Sequence, residues 1–461
     1  MSDRAATPSD GQAGSVWQAG SVWQAGSVWQ AGSVWQAGRM PTLSEDLRFR
    51  GLVHQLTDER LWHSLDAGRL TFYIGFDPSF SSLHIGSLLQ LTLLRRFQRA
   101  GHRPIALAGG GTGMIGDPGG RTDERQLLTR EQIAANVEGI RRQLARFVDM
   151  EDGLLLDNAS WLFELSMIGF LRDVGKHVTV NQMMAKEAVR ARLERPDRGI
   201  SYTEFSYMLL QAYDFLRLHQ DYGCELQIGG SDQWGNITTG VELIRKVSGA
   251  LAYGMTTPLV VKEDGTKFGK SASGAVWLDP ALTSPFRLYQ FLVQTEDAVV
   301  GAFLRYFTFL DHGQIAELDT ETAEHPRRRA AQRALARDVT VLVHGEEEAA
   351  RAERASGALF EEEIASLDER TLLDVVGEAP SSTVAREALV RGEITVVDAL
   401  ASCGLVSSRG EARRTVAQGG AYVNNRRVEG EERALGPSDL LWDRYVVLRR
   451  GRRDYHLLVA R

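Results

Sequence analysis

The chain has 461 residues, 43% hydrophobic and 25% charged, with a formal net charge of −7. That length suggests about three domains, and the composition excludes a wholly disordered chain. Its two cysteines, Cys224 and Cys403, are far apart, so neither a disulfide framework nor a zinc site is expected.

No apolar run approaches the ~18 residues of a membrane helix, and the N-terminus lacks the basic-then-apolar pattern of a secretion signal. A reducing, cytoplasmic location with no membrane partner and no metal site is the expectation. Charge is uneven along the chain. Residues 385–461 hold fourteen arginines against ten acidic residues, a net +4, which leaves −11 for the rest. A basic tail on an acidic body points to a polyanion contact at the tail. Lysine occurs at only six positions, and three of them, Lys262, Lys267 and Lys270, fall within nine residues. The scarcity of lysine reads as a GC-rich genome, and its clustering as a segment that needs a compact, flexible ammonium rather than a planar guanidinium.

In chain order, residues 1–39 come first. They carry Gln-Ala-Gly-Ser-Val-Trp four times without variation, from Gln12 through Trp35. Perfect copies read as a recent expansion. Either Met40 is the true start, or 1–39 is a disordered tail with too little apolar surface to fold. From residue 69 the pattern is α/β. Arg69–Phe76 alternates and reads as a strand, 84–100 as a helix and Pro104–Ala108 as a second strand. Together they form a βαβ unit with a parallel sheet. Helices are expected at 131–149, 160–175, 201–218 and 235–249, and strands near 225–228 and 258–262. After residue 285 the strands vanish. Ser284-Pro285 opens a helical run at 285–294, 298–310, 326–344 and 346–364. Residues 365–384 read as a linker. In the last unit Ser408-Arg409-Gly410-Glu411 reads as a capping box that opens a short basic helix.

Two motifs fail on their context. Gly111–Gly116 matches GxGxxG, but Asp117-Pro118-Gly119-Gly120 follows as a turn rather than a helix, against a nicotinamide or flavin site. Gly265–Ser271 is one residue short of a P-loop, and no convincing helix follows it.

A better constellation joins the strand end Tyr73-Ile74-Gly75-Phe76-Asp77-Pro78 to His84-Ile85-Gly86-Ser87 at a helix start. A histidine at a helix N-terminus, beside a glycine that permits close approach, suits a phosphate grip. This stretch resembles the HIGH signature of class I aminoacyl-tRNA synthetases, and Lys267-Phe268-Gly269-Lys270-Ser271 resembles their KMSKS loop. Tyr202-Thr203-Glu204-Phe205-Ser206-Tyr207-Met208-Leu209-Leu210-Gln211-Ala212-Tyr213-Asp214 and Gln227-Ile228-Gly229-Gly230-Ser231-Asp232-Gln233-Trp234-Gly235-Asn236 narrow the resemblance to the bacterial tyrosyl-tRNA synthetase family, over about residues 40–461. The resemblance implies a Rossmann-like catalytic domain at 40–260 and a KMSKS-type loop at 261–284. It implies an α-helical tRNA-binding domain at 285–364, and an S4-like RNA-binding domain of α+β type at 385–461.

It also implies site roles. Tyr73 and Asp214 would bond the substrate's phenolic hydroxyl. Asp117, Tyr207 and Gln211 would hold its ammonium, and Gln233 would lie near its carboxylate. Pro78, Ser79, His84, Gly86, Ser87, Asp232 and Lys270 would contact ATP. His84, Lys267 and Lys270 would stabilise phosphates, and Ser271 would support the loop. Arg409, Arg413, Arg414, Arg426 and Arg427 would contact RNA. The implied partners are tRNA, L-tyrosine and ATP with Mg²⁺, in a homodimer with no tightly bound cofactor. Two positions depart from the family pattern. Ser87 replaces the last histidine of HIGH, and Ile74 stands where relatives often carry cysteine. Both positions face the ribose in the family. Against the tryptophan-specific sister enzymes stand Tyr73 and Asp214, two groups suited to a phenol. Against a non-catalytic RNA-binding protein stand His84, Lys267 and Lys270.

Overall fold

The computed structural model describes residues 41–117, 127–193, 199–266, 268–271, 274–358, 364–365, 367–376, 379–451 and 454–461. The expectations for the hexad repeat and for Lys267 lie outside the described residues. The chain forms two compact units. The first ends at Asp279 and also includes Gly301–Glu317; the second comprises Pro280–Val300 and Leu318–Arg461.

The first unit is built on a six-stranded sheet of β1 (Gln55–Leu56), β2 (Thr71–Phe76), β3 (Arg103–Ala108), β4 (Leu154–Asp157), β5 (Cys224–Gly230) and β6 (Tyr253–Thr257). Their spatial order is β1-β6-β5-β2-β3-β4, and β1 alone runs antiparallel to its neighbour. β2 and β3 are apolar and buried on both faces, as strands covered by helices on each side must be. From β2 the chain adds β3 and β4 on one side, then returns to place β5 and β6 on the other. The strand order therefore reverses between β2 and β5. Connections there leave in opposite directions and open a crevice at the strands' C-terminal ends.

Helices pack on the sheet around this crevice. Leu88–Arg99 follows β2 and buries six of its leucine and phenylalanine side chains. Arg130–Phe147 opens with a Thr129–Gln132 capping box. It presses Gly139 so tightly on the loop after β2 that a Cβ there would lie 2.0 Å from the Ser81 carbonyl oxygen. Tyr202–Tyr222 starts at Ser201, whose side chain accepts from the Glu204 N–H, and ends at Gly223 in the left-handed region.

Several expectations need correction. The strand expected at 258–262 is β6, at Tyr253–Thr257. Pro258 cannot donate to the ladder, and Leu259 and Val261 are exposed. The helix at 160–175 is two short ones, Ala159–Leu162 and Met167–Asp173, because Ser166 caps the second by accepting from the Gly169 N–H. A helix at His312–Glu324 was not anticipated, and 326–344 begins as a helix only at Ala330.

In the second unit, the segment 365–384 read as a linker carries the helix Glu369–Val376 and strand β9 (Ser381–Val384). β9 pairs in parallel with the last strand of a five-stranded sheet. The other strands of that sheet are β10 (Ala421–Val423), β11 (Arg426–Arg427), β12 (Tyr445–Arg450) and β13 (Asp454–Ala460), in the order β11-β10-β12-β13-β9. The Arg461 N–H donates to the Val384 carbonyl at 3.0 Å, and the Arg386 N–H to the Arg461 carbonyl at 2.8 Å. The helix Arg409–Ala417 buries Ala412 and Val416 and is capped by Ser408. Glu411, however, accepts from Ser407 rather than from Ser408, so the capping box is not reciprocal.

The Gly139 contact is backbone against backbone, so Gly139→Ala forces the helix or the loop to shift. It should destabilise the fold by about 1–3 kcal/mol, read as a lower thermal midpoint. A wild-type midpoint would show that the helix can slide without cost.

Candidate active site

A cavity of about 430 Å³ opens at the β2/β5 reversal. Tyr73 and Gln227, level with each other on β2 and β5, both line it. The Tyr73 ring packs tilted on Phe215, with centroids 5.3 Å apart. Its hydroxyl is buried and has no hydrogen-bond partner among the described residues, and neither has the Gln227 Oε1. A buried polar atom left unpaired costs about 1–3 kcal/mol. Two of them in one cavity mark a surface made to receive a polar ligand.

Asp214 also lines this cavity, 2% exposed. Its carboxylate accepts from the Asn158 Nδ2 at 2.8 Å and from the Trp161 Nε1 at 2.7 Å. Burial still dominates and pushes its pKa up to about 7; the two donors pull it down, while Asp77 and Asp157 repel its charge. The Tyr73 phenol is driven well above its ordinary value by burial and by Asp214. Asn158 is itself fixed. It accepts from the Gly111 N–H at 2.7 Å and donates to the Thr112 Oγ1 at 3.0 Å.

Further along the wall, the Tyr207 hydroxyl donates to Asp77 at 3.3 Å. Tyr207 and Gln211 lie one helical turn apart and both face the cavity. Gln211 donates to the Gln233 Oε1 at 3.2 Å, and Gln233 donates to Asp117. Asn236 donates to Gln211 at 2.9 Å and to Gln233 at 3.2 Å. Two carboxylates thus sit on this wall, Asp77 held by the Tyr207 and Thr112 hydroxyls and Asp117 by the Gln233 amide, an arrangement suited to a primary ammonium.

The third wall is the turn before the helix Leu88–Arg99. The His84 Nδ1 accepts from the Gly86 N–H at 2.9 Å, which fixes the neutral tautomer with its proton on Nε2. A Cβ at 86 would lie 2.6 Å from the His84 ring, so any other residue there displaces the imidazole. The signature-like loop runs beside this turn. The Ile85 N–H donates to the Val276 carbonyl at 2.9 Å, and the Leu278 N–H to the Leu83 carbonyl at 2.9 Å. Gly269, at φ +119°, faces the Gly86 backbone so closely that a Cβ would lie 3.3 Å from its nitrogen. Lys270–Ser271 then forms a short hairpin with Gly274–Ala275. The side chains of Lys270 and Ser271 lie outside the described residues.

The fold therefore brings together Tyr73, Asp117, Tyr207, Gln211, Asp214 and Gln233, together with Ser79, His84, Gly86, Ser87 and Asp232. Pro78 does not join them. Its ring lies against Gly113 and its carbonyl accepts from Asn136 at 3.0 Å. The five arginines expected to meet RNA belong to the second unit and are all exposed. Arg409 pairs with Asp398 at 2.7 Å, and Arg413 lies 3.8 Å from Glu431. Arg427 lies over Gly419, where a Cβ would collide with its guanidinium. Sequence reasoning missed Asp77, Asn158, Trp161 and Gln227. Asp77 and Gln227 stood inside quoted motifs, whereas Asn158 and Trp161 carried no local signal.

The family model described as "tRNA synthetases class I (W and Y)" matches residues 65–361. The fold is thus that of a class I aminoacyl-tRNA synthetase of the tryptophan and tyrosine branch. A second model, "Tyrosine--tRNA ligase SYY-like C-terminal domain", matches residues 374–458. The tyrosine–tRNA ligase of Roseiflexus castenholzii is 56% identical over 423 residues, covering 91% of this chain and 99% of the relative. That of Opitutus terrae is 52% identical, covering 90% and 98%. The crystal structure of a C-terminally truncated mitochondrial tyrosyl-tRNA synthetase from Aspergillus nidulans superimposes with a TM-score of 0.64 at 33% identity, covering 70% of this chain and 95% of that one. This chain belongs to the tyrosine–tRNA ligase family.

The Asp214 pKa, raised from 3.8 to about 7, sets a pH test. Between those values the folded chain holds a proton that the unfolded chain has lost, so this group's contribution to stability falls as pH rises through that window. Asp214→Asn removes the effect. Its thermal midpoint should gain on wild type between pH 4 and pH 8, and a pH-independent difference would refute the shift.

Proposed function

We propose that the chain ligates tyrosine to tRNA in two steps at the β2/β5 crevice. The carboxylate of tyrosine attacks the α-phosphorus of ATP, supplied as its magnesium complex; pyrophosphate leaves and tyrosyl-adenylate forms. A hydroxyl of the terminal ribose of the tRNA then attacks the tyrosyl carbonyl, and AMP leaves. Little covalent work falls to the protein, so positioning and charge stabilisation carry the catalysis. The single observation that carries the reading is the unpaired Tyr73 hydroxyl beside the buried Asp214 carboxylate at one cavity. A phenolic hydroxyl inserted there donates to Asp214 and accepts from Tyr73.

At the other end of the substrate, Asp117, Tyr207 and Gln211 receive the ammonium, with Asp77 reinforcing Tyr207. Gln233 faces the carboxylate. His84, through Nε2–H, meets phosphate oxygens together with Lys267 and Lys270, and Ser271 supports their loop. Ser79, Gly86, Ser87 and Asp232 contact the rest of the nucleotide. The exposed Arg414, Arg426 and Arg427, with Arg409 and Arg413, bind tRNA phosphates, a contact that weakens with salt. The reading locates the enzyme in the cytoplasm, where translation proceeds.

Phenylalanine would leave the buried Tyr73 hydroxyl unpaired, at about 1–3 kcal/mol, and would offer Asp214 no donor beyond Asn158 and Trp161. Asp214→Ala should therefore erode the preference for tyrosine over phenylalanine in amino-acid-dependent pyrophosphate exchange. A mutant that still rejects phenylalanine as wild type does would overturn the assignment.

We also propose a homodimer. Met167 and Ile168 are 72% and 73% exposed on one helix, and Tyr202 is 71% exposed at the start of another. Apolar side chains this open are suited to burial against a second copy. Ile168→Glu should shift sedimentation velocity toward the monomer; dimers unchanged by it would move the interface elsewhere.

A further inference from the structure

Outside the lining of the substrate cavity, the first unit holds a buried ion cluster. Asp46, on the helix Leu43–Arg50, accepts from the Arg50 Nε at 2.7 Å and from the Arg96 Nη1 at 2.7 Å. It also meets the His312 Nε2 at 2.9 Å. Arg50 and Arg96 are 3% and 7% exposed. Burying two guanidiniums costs more than burying apolar groups of the same shape, so such a cluster is a poor device for stability alone.

What the two arginines grip is the C-terminal end of the helix Asp297–Phe307, where unpaired carbonyls attract cations. Arg50 donates to the Arg305 and Thr308 carbonyls at 3.2 Å and to the Leu310 carbonyl at 2.6 Å. Arg96 donates to the Thr308 carbonyl at 2.8 Å, and the Thr92 Oγ1 to the Tyr306 carbonyl at 3.1 Å. The same helix presents Phe303 and Phe307, whose ring centroids lie 4.5 and 5.7 Å from that of Phe268. Phe268 immediately precedes Gly269, which faces Gly86, and the strand that carries Lys270. Thr92 and Arg96 belong to the helix Leu88–Arg99, which follows directly on the His84–Ser87 turn.

We infer that the Asp46–Arg50–Arg96 cluster, with Thr92, is a positioning device for adenylate formation: it fixes the aromatic seat of Phe268, and so the distance between Lys270 and His84. One helix thereby holds both phosphate-directed walls, the His84 turn ahead of its first residue and the seat of the signature loop through its third turn. The hydrogen bonds described for the tyrosine-directed side chains Asp117, Tyr207, Gln211, Asp214 and Gln233 run to Asp77, Asn158, Trp161, Asn236 and one another, not to this cluster. The inference rests on the proposed phosphate role of Lys270.

The test uses the full-length chain and measures tyrosine Kd by equilibrium dialysis and the single-turnover rate of tyrosyl-adenylate formation at saturating ATP. Arg96→Met keeps the unbranched stem and removes the grip. It should leave tyrosine Kd near wild type and lower the rate about ten- to a hundredfold, the cost of a small misplacement of reacting groups. Arg96→Lys should recover part of that loss. In a Lys270→Ala background, Arg96→Met should add little, because both act through the same contact. Where Arg96→Met does not fold, Thr92→Val, which deletes the bond to Tyr306 along with a local one to the Leu89 carbonyl, is carried through the same cycle. An unchanged rate, a parallel loss in tyrosine Kd, or a loss that multiplies fully with Lys270→Ala would each overturn the inference. If Lys270→Ala alone keeps the wild-type rate, the proposed role of that lysine falls, and the Arg96→Met rate alone decides whether the cluster acts on activation.

Discussion

Tyr73 and Gln227 stand level on neighbouring parallel strands whose connections run off to opposite sides of the sheet. Nearly every functional side chain described above depends on that pairing. Because β2 and β5 are adjacent yet far apart in sequence, the loops that follow them cannot cover each other. They diverge, one toward His84 and the other toward Gln233. The helix between β4 and β5, Tyr202–Tyr222, must cross back over the sheet and so lays Tyr207, Gln211 and Asp214 along the opening. A parallel sheet with strictly sequential neighbours would offer no such gap.

Within the opening, polarity is graded. The Tyr73–Asp214 end is apolar in its surroundings, and burial there pushes a carboxylate's pKa to about 7. The other end is a mesh of amides and acids whose hydrogen bonds are largely mutual. One end therefore discriminates by the cost of leaving groups unpaired, the other by holding charge in place. Ile74 is 1% exposed and lines the same cavity. Its side chain has nothing to offer a ribose hydroxyl. In the proposed reaction, sugar recognition would fall to other lining groups, Ser87 and Asp232 among them.

Much of this was legible from the sequence wherever the signal was local. β2 and β3 alternate or run apolar, and the Tyr207-to-Asp214 spacing is helical in any context. The His84-Ile85-Gly86 turn and the Gln227–Asn236 segment are contiguous, and they carry the resemblance to the family. What failed was long-range or short. Leu154–Asp157 is four residues long, and such an apolar run does not distinguish strand from helix. Without that strand, Asn158 and Trp161 have no reason to reach Asp214. Ser381–Val384 is polar and alternately exposed, so it reads as a linker until β13 appears beside it. The Asp46–Arg96 cluster closes between residues 50 positions apart, and its grip on Thr308 spans more than 200. No periodicity encodes contacts of that range.

The C-terminal sheet begins and ends on the same edge: β9 enters it, β13 lies against β9, and the terminal Arg461 is bonded to Val384 and Arg386. Entry and exit are therefore neighbours. All five strands lie within Ser381–Ala460, so the sheet takes no strand from the first unit. Gene fusion can attach such a cassette to a host, or gene loss can delete it, without breaking a strand of the host's sheet.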